Sequence, residues 1–225
     1  MLKPQRKMKK KEIKEDKFVK FTLETKSYIE ENSKQVMMVA GGVFGIIILI
    51  MLYVYIHSGT ITTATTLYGK ATVEYQAMNY SKAKAFLLDL TDEFEGTDAA
   101  TQGMFLLGNI YFKEKNIADA KKYFQDFIDS YSDEDILLAS GYAGLAACYA
   151  TEKDYESAAD FYQKAYKTMP EIPEAADYLY LAGLNYRKAG NIEKAKEAFQ
   201  KVSEEFKDSS RSFDAQEELV LLANK

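Results

Sequence analysis

Apolar positions follow two different patterns along this chain. Residues 36–69 contain no Asp, Glu, Lys or Arg, and the run 36–56 within them (VMMVAGGVFGIIILIMLYVYI) is almost wholly apolar. As a helix rising about 1.5 Å per residue, that run reaches roughly 31 Å, against about 30 Å for a bilayer core. It is expected to be a single transmembrane helix over 36–57. Gly41, Gly42 and Gly45 would weaken a helix in water but are tolerated in lipid, and Tyr53, Tyr55 and His57 stand where amphipathic rings favour the headgroup boundary. A cleaved signal peptide fits poorly, because its basic region would be 35 residues long, its apolar core is too long, and no A-x-A site follows.

Beyond the span, apolar and small residues recur with helical spacing in copies of one plan. The segments LLGNIYFKEKNIADAKKYFQDFI, LAACYATEKDYESAADFYQKAY and AGLNYRKAGNIEKAKEAFQKV align. Each carries a small residue, an aromatic three later, an alanine nine further on, and an aromatic four after that. The sets are Gly108, Tyr111, Ala120, Phe124; Ala146, Tyr149, Ala158, Tyr162; and Gly183, Tyr186, Ala195, Phe199. A weaker copy holds Ala71, Ala83 and Leu87, with Glu74 at the tyrosine position. Two antiparallel helices cross closely only where one side chain is small, and a facing aromatic fills the groove so created. Asn116, Asp154 and Gly190 are expected to mark the turns between paired helices, and Pro170 the end of the third pair.

This pattern resembles the tetratricopeptide repeat over residues 61–210, although the equivalent alanines at 83, 120, 158 and 195 give a period of 37 to 38 rather than the usual 34. The expected fold is all-α: the N-terminal transmembrane helix, then an α-solenoid of four hairpins over 61–96, 98–132, 136–170 and 173–207, and a capping helix over 212–224. The extra residues fall in the links EFEGTDAAT, SYSDEDILLA, MPEIPEAAD and EFKDSSRSFD. Such links are similar to those in repeat domains of bacterial envelope proteins.

Charge sharpens the division. Residues 1–35 carry eleven Lys and Arg against six Asp and Glu, leaving 18 against 28 for the rest of the chain. The lysines that precede the span predict a cytoplasmic tail over 1–35 and a non-cytoplasmic repeat domain over 58–225, which in a bacterium with two membranes is periplasmic. Residues 12–31 space Ile13, Phe18, Phe21, Thr25, Tyr28 and Ile29 as an amphipathic helix, which could lie on anionic headgroups; a plain topology signal with weak helicity is the favoured reading. The acidic balance of the large segment argues against nucleic acid as a partner.

With this layout in view, the chain resembles the ancillary SecYEG translocon subunit family. The residues that carry the resemblance are the basic tail, the segment IEENSKQVMMVAGGVFGIIILIMLYVYIHS, and the repeat opening TTATTLYGKATVEYQAMNYSKAKAFL. The resemblance implies a bacterial inner-membrane protein whose periplasmic repeat domain contacts the translocon and periplasmic chaperones. The links EFEGTDAA and EFKDSS are also similar to the repeat domain of the Tol-Pal-associated cell-division coordinator, which keeps a role in envelope organisation or division as the alternative.

Catalytic chemistry has little to work with. One histidine excludes a His-based metal site or a Ser/His/Asp triad, and no C-x-x-C, H-E-x-x-H or G-x-S-x-G motif occurs, so no catalytic, cofactor or metal residues are assigned and no small-molecule substrate is expected. The acidic pairs at Asp92, Asp133 and Glu204 fall on links or exposed helix positions as solvated charges. The lone Cys148 excludes an intrachain disulfide and reads as a buried packing residue, with a reactive thiol as the lesser reading. A protein ligand would meet the first helix of each hairpin. That row carries Tyr68, Thr72 and Gln76, then Phe105, Asn109, Phe112 and Lys113, then Ala143, Ala147 and Ala150, then Tyr180, Leu184, Arg187 and Lys188. From it Phe105, Asn109, Phe112, Lys113, Tyr180, Arg187 and Lys188 are the candidate partner-binding residues. The sequence leaves the partner and the oligomeric state open.

Overall fold

The computed structural model describes residues 17–132 and 135–223. Residues 1–16 of the expected cytoplasmic tail, which include the first residues of the amphipathic stretch, and also Asp133, Glu134, Asn224 and Lys225 lie outside the described residues. Among the described residues the chain is entirely α-helical and loop, with no strand: α1 (Lys17–Glu31), α2 (Ser33–Gln76), α3 (Tyr80–Glu93), α4 (Asp98–Lys113), α5 (Ile117–Ser130), α6 (Ile136–Thr151), α7 (Tyr155–Thr168), α8 (Ala175–Lys188), α9 (Ile192–Glu205) and α10 (Ser210–Ala223). The chain divides into two units, Met1–Gly59 and Thr60–Lys225.

The first unit holds α1 and the opening of α2. On α1, Phe18, Phe21, Tyr28 and Ile29 are exposed. The Thr22 and Thr25 hydroxyls donate to the carbonyls of Phe18 and Phe21, at 3.0 and 2.8 Å. In α2 the apolar side chains from Met37 to Ile56 are exposed, and the most apolar stretch has a mean hydropathy of 2.6 with none of it buried. A soluble helix would not survive in that state, since so much exposed apolar area drives association. By length and composition α2 is therefore a candidate membrane span.

The second unit is a stack of hairpins. The last part of α2 pairs with α3, α4 with α5, α6 with α7 and α8 with α9, and α10 packs on α9 and α8. All four hairpin turns use one device. Met78, Lys115, Lys153 and Gly190 take left-handed φ values of 61°, 62°, 66° and 84°, and the next residue opens the second helix. That residue's N–H reaches back five positions, to the carbonyl of Glu74, Tyr111, Tyr149 or Tyr186, at 2.8 to 3.0 Å. The arrangement satisfies carbonyls that a helix end would otherwise leave open. The side chains of Asn116, Asp154 and Asn191 then accept from the backbone N–H three residues on, capping α5, α7 and α9. Asn79 differs: its amide donates to Glu74 at 2.8 Å and makes no cap.

Small residues sit where aromatic rings cross. A Cβ added to Gly108 would stand 2.7 Å from the Phe124 ring, and one on Gly183 2.6 Å from Phe199, each within one hairpin. Gly144 meets Phe124 at 2.6 Å and Gly141 meets Phe127 at 2.6 Å, each across the boundary between hairpins. Phe124 thus lies between glycines of two successive repeats. Polar seams join the repeats at their edges. Lys84 bonds Glu114 at 2.6 Å and Lys121 bonds Glu152 at 2.7 Å, and these lysines lie over the rings of Tyr111 and Tyr149. At the next junction Ala159 and Ala189 take the equivalent positions, and the Tyr186 hydroxyl donates to Asp160 at 2.6 Å instead.

Candidate partner-binding face

The expected row runs along α2, α4, α6 and α8, and packing places its members at different depths. Phe105 is half-buried, its ring 6.0 Å from Phe124 and 5.4 Å from Phe127. The Asn109 amide donates to the Phe105 carbonyl one turn back, at 3.1 Å. Phe112 is half-buried against the cluster of Ala120, Phe124, Leu145 and Cys148, while Lys113 is exposed with its ammonium 5.8 Å from the Tyr80 ring. On α8, the Tyr180 ring lies 5.6 Å from Phe199 and under the Arg211 guanidinium, 5.1 Å from its centroid. Arg187 forms an ion pair with Glu218 on α10. Lys188 is exposed, 5.4 Å from the Tyr155 ring.

The first helices of hairpins two and four thus place Lys113 and Lys188 at the solvent, about two turns from the rings of Phe105 and Tyr180 that pack inward. The third hairpin presents Ala143, Ala147 and Ala150, all half-buried, between them. This row offers two cations and a smooth segment. The grooves lie elsewhere. One of about 410 Å³ is bounded by Asp89, Asp92, Met104, Lys122, Tyr123 and Asp126, and another of about 320 Å³ by Gln163, Leu179, Lys194, Glu197, Ala198 and Lys201. Neither is lined by a residue of the row.

Two buried groups, Cys148 and Tyr162, have strongly raised pKa values. Burial pushes the Cys148 thiol up to about 12, aided by the nearby Glu152 carboxylate. Burial also pushes the Tyr162 hydroxyl up to about 12. A thiolate nucleophile needs a depressed value and access, so Cys148, which is fully buried, serves packing. Among the described residues no group of three or more His, Cys, Asp or Glu could hold a metal ion. Sequence reasoning missed Asn185: it is 4% exposed, its amide donates to the Leu181 carbonyl at 2.8 Å, and its own Oδ1 has no partner. The two preceding repeats hold Ile110 and Cys148 at that position, so the polar residue in an apolar register was the available signal.

The model of the tetratricopeptide repeat-like domain family matches residues 26–219. This chain belongs to that family. No curated protein matches the sequence. Among solved structures, the tetratricopeptide repeat-like domain here is similar to a crystal structure of nearly identical TPR-like repeats from Podosopora anserina. Identity is 12% and the TM-score 0.58, over 73% of this chain and 87% of that one. It is also similar to a tetratricopeptide repeat protein from Parabacteroides merdae, at 18% identity and a TM-score of 0.60, over 72% of this chain and 61% of that one. At such identities the likeness is one of fold: an all-α solenoid of a kind that typically serves as a non-catalytic scaffold for protein partners.

Proposed function

We propose that this chain is a single-pass protein of the bacterial inner membrane that holds its repeat domain on the periplasmic side as an adaptor for other proteins. It has no catalytic role. In this reading it serves the Sec translocon as an accessory factor and links it to periplasmic chaperones. The observation that carries the proposal is the exposed apolar stretch of α2, whose surface is accounted for once lipid surrounds it. Lysines crowd the residues before that stretch whereas the first to follow it is Lys70, which favours a cytoplasmic N-terminus. Lys113 and Lys188, flanking the alanine segment of α6, are the exposed cations that would meet an extended chain or a carboxylate.

A role in envelope organisation or division is the second reading. Gly41 and Gly45 stand one turn apart on α2 with open space around them, the small-residue spacing that lets membrane helices approach closely.

Photoreactive side chains at Lys113 and Lys188 in living cells test the first reading. Capture of translocon subunits or periplasmic chaperones supports it. Capture of division or peptidoglycan-associated proteins, or of the chain itself alone, moves the assignment to the second.

A further inference from the structure

A solenoid ends in water only if its last helix turns a polar face outward. Helix α10 does not. Ser212, Ala215 and Leu222 are buried against α9 and α8, but Phe213, Val220 and Leu221 are 68%, 61% and 55% exposed on its other side. With Gln216 and Glu217 they line a shallow groove of about 490 Å³.

The repeat register says what such a face receives. The buried residues Ala176, Leu179 and Tyr186 of α8 correspond to Ser212, Ala215 and Leu222 of α10, each shifted by 36 residues. By the same shift Phe213, Gln216 and Val220 correspond to Asp177, Tyr180 and Leu184. On α8 those positions are covered by the following helices: Arg211 pairs with Asp177 and lies over Tyr180, and Leu184 packs into the core. The outer face of α10 is therefore the receiving face of a helix stack whose next layer is absent among the described residues.

Charge selects the occupant. Glu217 sits midway between Phe213 and Leu221 and is exposed, whereas Glu218 is paired with Arg187 and Asp214 with Arg211. A second copy docked face to face would put Glu217 against its own counterpart at the two-fold axis, a like-charge contact that association must overcome. We propose that the outer face of α10 docks an amphipathic helix of a partner protein as the next layer of the stack. That helix carries apolar side chains over Phe213, Val220 and Leu221, and a Lys or Arg at its centre facing Glu217. This surface is separate from the row of Lys113 and Lys188.

The test uses the full chain in detergent micelles and two labelled amphipathic helical peptides with the same apolar face, one with lysine and one with glutamate at its centre. Fluorescence anisotropy should show saturable binding of the lysine peptide at least tenfold tighter than the glutamate peptide. Glu217→Lys should invert that preference, and Val220→Glu should abolish binding while leaving the helical circular dichroism intact. Lys113→Glu with Lys188→Glu should leave peptide binding unchanged, so loss of the row and loss of this face are told apart. Equal affinity for both peptides, absence of saturation, or a self-associated chain that Val220→Glu returns to monomer would each overturn the proposal.

Discussion

The ring of Phe124 provides the sharpest test of how these repeats hold together. An alanine at position 108 would bring its methyl carbon to 2.7, 2.8 and 2.9 Å from ring carbons, and one at position 144 to 2.6, 2.6 and 3.0 Å. Ordinary carbon contacts lie near 3.5 to 4.0 Å, so each substitution asks the ring to move by about 1 Å. With one glycine replaced, the ring has room to give by a few tenths of an ångström toward the other. With both replaced it has none. Overpacking costs about 1–3 kcal/mol, and the better helix propensity of alanine returns about 0.5–1. Gly108→Ala is therefore expected to destabilise by about 1–2 kcal/mol, and Gly108→Ala with Gly144→Ala by more than the sum of the singles, by about 1 kcal/mol. Cys148 offers the assay, because it is fully buried and belongs to the same cluster as Phe124. The rate at which a thiol reagent labels it in membranes reports the opening equilibrium, and 2 kcal/mol corresponds to about 30-fold faster labelling. Phe124→Leu in the double variant should restore much of the loss. Wild-type labelling rates in both single variants and in the double would refute the clamp.

Three further outcomes are expected. The raised thiol of Cys148 and hydroxyl of Tyr162 mean that the fold favours their neutral forms, so their stabilisation is complete below about pH 9 and is lost as pH rises from 9 toward 12. The unfolding free energy read from urea titrations should fall above pH 9, by about 1.4 kcal/mol per pH unit from the thiol, and Cys148→Ala should move the onset to about pH 10. Asn185→Cys, which adopts the residue of the preceding repeat, removes a buried carbonyl that lacks a partner and should raise stability by about 1 kcal/mol in urea unfolding. Lys153→Gly relieves a left-handed residue that carries a Cβ and should gain about 0.5–1 kcal/mol net, read as a rise in melting temperature of a few degrees; no rise would contradict the strain assigned to that turn.

Contacts between residues close in sequence were the legible ones. The Gly108 and Phe124 pair, the Gly183 and Phe199 pair, and the turns at Asn116, Asp154 and Gly190 all lie within one hairpin, where helical spacing fixes who faces whom. Contacts between hairpins were not legible, because they depend on how far each layer is rotated against the last. That rotation brings Gly144 onto Phe124 and Gly141 onto Phe127, and it carries Arg211 and Glu218 onto Tyr180 and Arg187. Asn185 shows in the sequence only through the repeat register, as a polar residue where the two preceding repeats hold Ile110 and Cys148, and packing buries it. Phe105, expected at a ligand surface, turns its ring toward Phe124 and Phe127 on the second helix of its own hairpin.

The glycines on either side of Phe124 also limit how such a chain can change its length. Repeat arrays grow and shrink by copying whole units, and a copied unit must fit the neighbour it lands beside. Here the second repeat presents a bulky ring that only a glycine-bearing successor can accept. A duplicate of the fourth repeat inserted after the second would set Leu181, the counterpart of Gly144, against that ring. The order of the repeats is thus written into the join between them, and units with the same outline are not interchangeable.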